Sequence, residues 1–288
     1  MNGIVILNKE KGISSNTACR KVGKLLGEKK VGHLGTLDVL ATGVLPVALG
    51  KATKLFDFYL QKTKTYLATF TFGYETTTLD SEGEVVASSD IIPKEDELRS
   101  ALLKFIGAQN QMPPKYSAKK VNGKCAYDLA RSNIDFELKP KEITITNIEL
   151  ISQISNDTYT FKITCSSGTY IRSIARDLGY ALNTYATMTD LVRLQCGNFM
   201  LENSYAISQI EKIGIDVLLD FNTIFKEFEK IQVNDTETKK LLNGQTILIK
   251  ENRENITNIV VQNNNEVLGL GNITNNYLKL EIHLKEHV

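Results

Sequence analysis

Cysteine is scarce in this sequence and scattered. The four cysteines, at positions 19, 125, 165 and 196, form no Cys-x-x-Cys pair. That excludes a zinc ribbon and argues against a disulfide framework. Long apolar runs are missing as well, since none reaches the roughly 18 residues that a membrane helix needs. No basic region precedes the short apolar run at residues 4–7, so the start does not read as a signal peptide. These absences predict a cytoplasmic protein with reduced thiols and no membrane partner. Net charge is nearly absent, +1 over 288 residues. Apolar residues at 42% and charged residues at 23% exclude wholesale disorder and a fibrous repeat. The length allows one large domain, or a medium one with a small one.

The near-zero net charge hides an uneven distribution. Residues 1–64 carry 11 basic and 4 acidic side chains, net +7, and residues 113–142 carry 7 and 4, net +3. Residues 65–112 are net −5 and residues 201–288 net −4. Two basic segments in a balanced chain are either a local polyanion site or scattered solvated lysines.

Hydrophobic periodicity outlines the elements. Residues 3–7 read as a short buried strand. Ser14 and Ser15 offer an N-cap to a helix with Ala18, Val22, Leu25 and Leu26 on one face, which Gly27 stops. Residues 31–50, rich in glycine and small apolar residues, read as a structured loop. Alternation over 65–72 puts Tyr66, Ala68, Phe70 and Phe72 on one face of a strand. Pro93 opens a helix whose stripe is Leu98, Ala101, Leu102, Phe105 and Ile106, and Gly107 closes it. Residues 108–125 are polar and basic around Pro113-Pro114 and read as an exposed projecting loop. Strands are expected near 143–151 and 157–164, and a helix near 170–182 with Ile171, Ile174, Ala175 and Leu178 facing the core. After about residue 225 the chain turns Asn-rich and acidic, with short alternating runs, and predicts a small separate β domain. Composition and periodicity support α+β and no finer class.

The informative stretch is residues 32–51, in which Asp38 is the only acidic residue. Apolar and small neighbours keep this loop from being solvated like an ordinary surface loop. A carboxylate there is either paired or reactive, or it serves a cap or Asx-turn. Other motifs fail on inspection. Ser117 and Lys120 fit Ser-x-x-Lys without its partner motifs. Gly43 and Gly50-Lys51 are too far apart for a P-loop, and Ala52 stands where it needs Ser or Thr. His283 and His287 have no third metal ligand.

The run His33-Leu-Gly-Thr-Leu-Asp38, followed by Leu40-Ala-Thr-Gly-Val-Leu-Pro46, closely resembles the signature of the bacterial TruB family, the tRNA pseudouridine-55 synthases. The resemblance continues in Lys64-Thr-Tyr66, Thr78-Leu-Asp-Ser-Glu-Gly83, Gln111-Met-Pro-Pro-Lys-Tyr-Ser-Ala-Lys119, Gly168-Thr-Tyr-Ile-Arg172 and Leu191-Val-Arg193. It spans about residues 3–200 in the family's order. Two departures stand out: Val39 replaces the proline usual after the aspartate, and Val192 replaces the first of two arginines.

The resemblance implies an α+β fold with a mixed, largely antiparallel central sheet and flanking helices. It divides the chain into a catalytic domain, 1–225, with an RNA-gripping thumb at about 108–125, and a small PUA-like β domain, 226–288. It implies isomerisation of uridine 55 in the tRNA T-stem-loop, with no cofactor, no metal and no guide RNA. A monomer is the expected state. Asp38 matches the catalytic aspartate, acting as nucleophile or base at the sugar. Arg172 matches the arginine paired with it; an opposite charge at contact offsets the cost of desolvating a carboxylate. Tyr66 matches the tyrosine that stacks on the target base and helps remove its C5 proton. Tyr170 and Leu191 match pocket-lining residues, and His33 matches the histidine that stacks where the flipped nucleotide leaves. Lys9, Lys119 and Lys120 are expected to contact RNA. Read without the resemblance, the tyrosines and the leucine are core residues and each lysine is as readily a solvated one.

Overall fold

The computed structural model describes residues 1–117, 119–121, 123–132, 134–249, 253 and 255–285. The chain begins with strand β1 (Gly3–Lys9) and helix α1 (Ser15–Leu26). The Ser14 hydroxyl caps α1 by accepting from the Thr17 amide, and Gly27 ends it at φ 71°, the left-handed cap that glycine adopts without strain. Ala18, Val22 and Leu26 are buried, whereas Leu25 is 37% exposed and leaves the expected stripe.

Residues 31–50 correct the expectation of a loop. They hold β2 (Val31–His33) and the long strand β3 (Thr42–Leu49). β3 pairs antiparallel with β1 and β2 on its two edges and meets a later strand in parallel. Its glycine and proline suggested a loop, but Pro46 lies opposite Ile6, whose carbonyl turns away from β3 to accept from Tyr205, so the β1–β3 ladder asks for no N–H from Pro46. Only residues 34–41 remain irregular.

Helix α2 (Phe56–Leu60) leads to β4 (Lys64–Phe72), where Tyr66, Ala68, Phe70 and Phe72 are all buried as expected. A small hairpin, β5 (Tyr74–Thr76) and β6 (Val85–Ser88), precedes helix α3 (Glu95–Leu102). Three acidic residues in the first turn of α3 complement its dipole. Leu98, Ala101, Leu102 and Phe105 are buried, but Ile106 is not.

The segment expected to project begins as strand β7 (Gly107–Gln111) on the sheet edge, so its free part starts later. It continues through a minimal hairpin, β8 (Lys120–Val121) and β9 (Lys124–Cys125), into helix α4 (Ala126–Arg131). Pro113 and Pro114 are buried. Strands β10 (Lys141–Gln153) and β11 (Thr158–Cys165), helix α5 (Ile171–Ala181) and strand β12 (Ala186–Cys196) complete the main layer, and β13 (Phe199–Met200) folds back on β12.

The sheet has nine strands, ordered β1-β3-β12-β4-β11-β10-β7, with β2 on β3 and β13 on β12. Among the described strand pairs of this sheet only β3 and β12 run parallel, so the mixed, largely antiparallel α+β class holds. α1, α3 and α5 bury their stripes on one face. β1 is buried on both: Val5 and Leu7 face that core, and Ile4 and Ile6 face a second one. Strands covered on both faces read as continuous apolar runs.

Short helices α6 (Ile207–Ile213) and α7 (Phe221–Ile224) lead to a second sheet. It comprises β14 (Lys230–Gln232), helix α8 (Asp235–Leu242), β15 (Ile247–Leu248), β16 (Ile256–Asn263), β17 (Glu266–Thr274) and β18 (Tyr277–His283). The strands are ordered β14-β16-β17-β18-β15. The asparagine richness has a local cause here. Asn264-Asn265 and Asn275-Asn276 all have positive φ, the conformation of the tight two-residue hairpins that join twisted strands. This sheet has its own core, and Val260, Val267, Leu270 and Leu284 also join Ile4, Ile6, Val44 and Phe225 in the shared second core. No helix among the described residues is long and apolar enough to cross a membrane.

Candidate active site

Residues 34–41 connect two strands of the sheet. Leu34, Leu37, Leu40 and Ala41 are buried. Driving these four inward turns the side chains between them outward, and Asp38 remains 41% exposed. The loop is stitched down on both sides. The buried Ser15 hydroxyl donates to the Leu37 carbonyl and accepts from the Leu37 amide, both at 2.8 Å. Gly12 N–H donates to the Val39 carbonyl. Gly35 takes φ +132°, a backbone region that favours glycine.

Lys9, expected among the RNA contacts, is instead 0% exposed. Its ammonium donates to the carbonyls of Glu10 and Ile13 at 2.9 Å and of Val39 at 3.3 Å. Burial lowers its pKa to about 8, partly opposed by the Asp38 and Glu10 charges. It secures the loop beside Asp38 from beneath and has no path to a phosphate.

Arg172 lies in the first turn of α5, beside the apolar stripe, and its side chain is 8% exposed. Nη2 is 3.1 Å from Asp38 Oδ2, and Nη1 is 3.1 Å from Asp80 Oδ2. The guanidinium also donates to the carbonyls of Thr78 at 3.0 Å and Tyr116 at 3.2 Å. Asp80 is buried and held by the Thr78 hydroxyl and the Glu82 amide. Arg172 thus joins a half-open carboxylate to a buried one. Breaking a fully buried pair of this kind leaves an uncompensated charge and costs about 3–5 kcal/mol.

Asp38 and Arg172 line a cleft of about 600 Å³ with Tyr66, Tyr170, Leu191 and Lys119. Tyr66 sits mid-strand on β4, across the ladders from Arg193 and Ile163. Burial pushes its phenol pKa well above the ordinary value, and burial raises that of Tyr170 as well. Tyr170 caps α5, and the Gln111 side-chain amide grips its backbone on both sides, accepting from its N–H and donating to its carbonyl. Lys119 stands at the rim with its ammonium on the Lys139 carbonyl. The Lys120 side chain lies outside the described residues.

His33 is placed in β2 and is not among the residues that line the cleft. Its Nδ1 is buried without a hydrogen-bond partner, and burial, helped by the Arg193 charge, lowers its pKa.

Five residues escaped the sequence reading. Asp80 sat inside a recognised block, Thr78-Leu-Asp-Ser-Glu-Gly83, with no role assigned to it. Lys64 is buried, lines the cleft and donates to the carbonyls of Tyr59, Leu60 and Lys62. Lys141 lines it opposite Gln111, which orients Tyr170. Arg193 is 1% exposed and donates to the carbonyls of Val44, Thr36 and Gly35. Nothing in residue type distinguished these from surface cations or edge-strand glutamine.

Residues 23–171 match the description "TruB family pseudouridylate synthase (N terminal domain)". A protein of Mycoplasma mobile named tRNA pseudouridine synthase B is 44% identical over 281 residues, covering 97% of this chain and 93% of its own. One of the same name from Fusobacterium nucleatum subsp. nucleatum is 43% identical over 282 residues, covering 96% and 98%. Among solved structures, a chain of a Cbf5-Nop10-Gar1 complex superposes with a TM-score of 0.74 at 22% identity, covering 99% of this chain and 85% of its own. At that identity the likeness concerns the fold alone. With the sequence matches running nearly end to end, this chain belongs to the TruB family of pseudouridylate synthases.

Proposed function

We propose that this protein isomerises uridine to pseudouridine in tRNA, at position 55 of the T-loop. The relatives' shared name, tRNA pseudouridine synthase B, supports the reaction and the RNA class. The observation that carries the reading is Asp38, half-open at the cleft and fixed by Arg172 at 3.1 Å. The reaction breaks the N1–C1′ bond, turns the uracil and rejoins it through C5. It needs a carboxylate at the sugar and a pocket that holds a loose base, and it involves no redox change or phosphate transfer. Asp38 serves at the sugar as nucleophile or base, and Arg172 orients it. Tyr66 stacks on the base and takes part in removing the C5 proton. Tyr170 and Leu191 wall the pocket, and His33 fills the stack that the nucleotide leaves. Flipping a base costs a few kcal/mol, offset by stacking and phosphate contacts, some of them from Lys119 and Lys120 on the thumb.

In this reading residues 1–225 form the catalytic domain and 226–288 a PUA-like RNA-binding domain. The protein works in the cytoplasm as a monomer, with no cofactor and no guide RNA. Purified protein alone with an unmodified tRNA transcript, followed by pseudouridine mapping, tests this directly: a single new pseudouridine at position 55 is expected. Asp38→Asn should abolish it while keeping tRNA affinity within about tenfold, because the change removes a charge but little volume. Turnover by the Asn protein above a deamidation trace would falsify the role of Asp38.

A further inference from the structure

Arg193 is a buried cation that the reaction as described leaves without work. It is 1% exposed, and no ion pair joins it to a carboxylate among the described residues. A buried charge without a counterion is costly, and three neutral carbonyls do not neutralise it. Those carbonyls use three of its five N–H groups: Nε donates to Val44 at 2.7 Å, Nη1 to Thr36 at 3.1 Å and Nη2 to Gly35 at 2.9 Å. One N–H remains on each terminal nitrogen. Arg193 lines the same cleft as Asp38, Tyr66 and Leu191. It sits directly across the β4–β12 ladder from Tyr66, whose hydroxyl it reaches. The backbone around it is packed close: a Cβ on Gly43 would come 2.3 Å from the Arg193 carbonyl oxygen, and one on Gly35 would stand 3.7 Å from its Nη1.

We infer that Arg193 is a further catalytic residue, whose N–H groups not held by carbonyls, together with the Tyr66 hydroxyl that one of them reaches, stabilise the negative charge carried by the detached uracil. The inference rests on the proposed isomerisation. When N1–C1′ breaks, its electron pair leaves with the base and spreads onto the ring carbonyls. Asp38 meets the electron deficit at the sugar. The pair is returned when C5 bonds to C1′, after which C5 loses its proton and N1 gains one. Between those events the base is an anion in the cleft, and a preoriented, buried guanidinium beside Tyr66 matches that charge. Donors of this type, fixed before the charge appears, contribute about 10²–10³-fold in rate.

The test compares two transcripts, one with uridine at the target position and one with 5-fluorouridine. Fluorine withdraws electrons, so the detached base is intrinsically more stable and depends less on Arg193. Loss of the starting nucleoside is measured in single turnover, which does not require fluorine to depart. Arg193→Lys is the principal variant: three ammonium N–H groups match the three carbonyls and leave none for the base. The uridine rate should fall about 100-fold and the fluorouridine rate less than about tenfold, with tRNA affinity within about threefold of wild type. Arg193→Gln should show the same inequality. The ratio of the two rates cancels the folded fraction of a preparation, so a poorly folded variant still decides the matter. Equal slowing on both transcripts would overturn the inference and leave Arg193 as a brace for the loop. A wild-type enzyme that leaves the uridine transcript unmodified would instead defeat the functional reading itself.

Discussion

Asp38, Arg172 and Asp80 form a charge relay of position, in which one guanidinium spans two carboxylates of different exposure. The buried Asp80 end carries the greater energetic weight, since exposed pairs are screened by water. Arg172→Ala should therefore destabilise the protein by about 3–5 kcal/mol, and Asp80→Asn by less, because the amide keeps hydrogen-bonding capacity. Urea unfolding of the double variant should show a loss well below the sum of the two. Simple additivity would mean that the two side chains do not act as partners. Arg172→Lys restores the charge but cannot fork to two carboxylates, so it should recover only part of the catalytic rate. Lys9 gives a prediction in pH. Its pKa is about 8 in the folded protein against roughly 10.4 in an unfolded chain. Between those values the unfolded chain binds more protons, so stability rises with pH through that window. Wild-type stability minus that of Lys9→Met should increase from pH 8 to pH 10 by on the order of 1–3 kcal/mol. A flat difference would show that Lys9 does not titrate in that range.

At the scale of elements, what matters is which segments are fixed and which can meet RNA. The segment after β7 leaves the sheet with its base clamped to α5. The Met112 carbonyl accepts from Ser173 and Arg176, and the Tyr116 carbonyl accepts from Arg172. That segment, the proposed thumb, is thus anchored on the helix that carries Arg172. Lys119, beyond that anchor, donates to the Lys139 carbonyl and can exchange it for a phosphate. Lys119→Ala should reduce the slope of log affinity for tRNA against log salt by about one. An unchanged slope would remove Lys119 from the phosphate contacts. Legibility also divided at this scale. α1 and β4 were readable because a capping serine, a closing glycine and strict alternation are local devices. β3 was not, because a strand paired on both edges and buried on both faces loses the alternation that marks strands. Its glycine and proline are tolerated only because of what lies opposite them.

For the whole molecule, the second sheet is more than an appendage, since Val260, Val267, Leu270 and Leu284 pack into the core containing Ile4, Ile6 and Phe225. Phe225 is 0% exposed, and truncating a buried phenylalanine costs about 3–5 kcal/mol. Phe225→Ala should lower stability by that amount, with far-ultraviolet circular dichroism and tyrosine fluorescence still reporting one transition. Two separated transitions in the wild-type protein would refute a shared core. The sequence alone determined what is carried by order and spacing along the chain. That includes the family blocks, the α+β class, helices α1, α3 and α5, the alternating strand that bears Tyr66, and the match of Asp38 to Arg172. Tertiary structure alone decided which cations are buried. Lys9 and Arg193 are written in the same letters as solvated residues, and only strands brought together from more than 140 residues apart in the case of Arg193 and Val44 surround one with carbonyls. Burial and charge compensation depend on neighbours distant in sequence, so no local pattern encodes them.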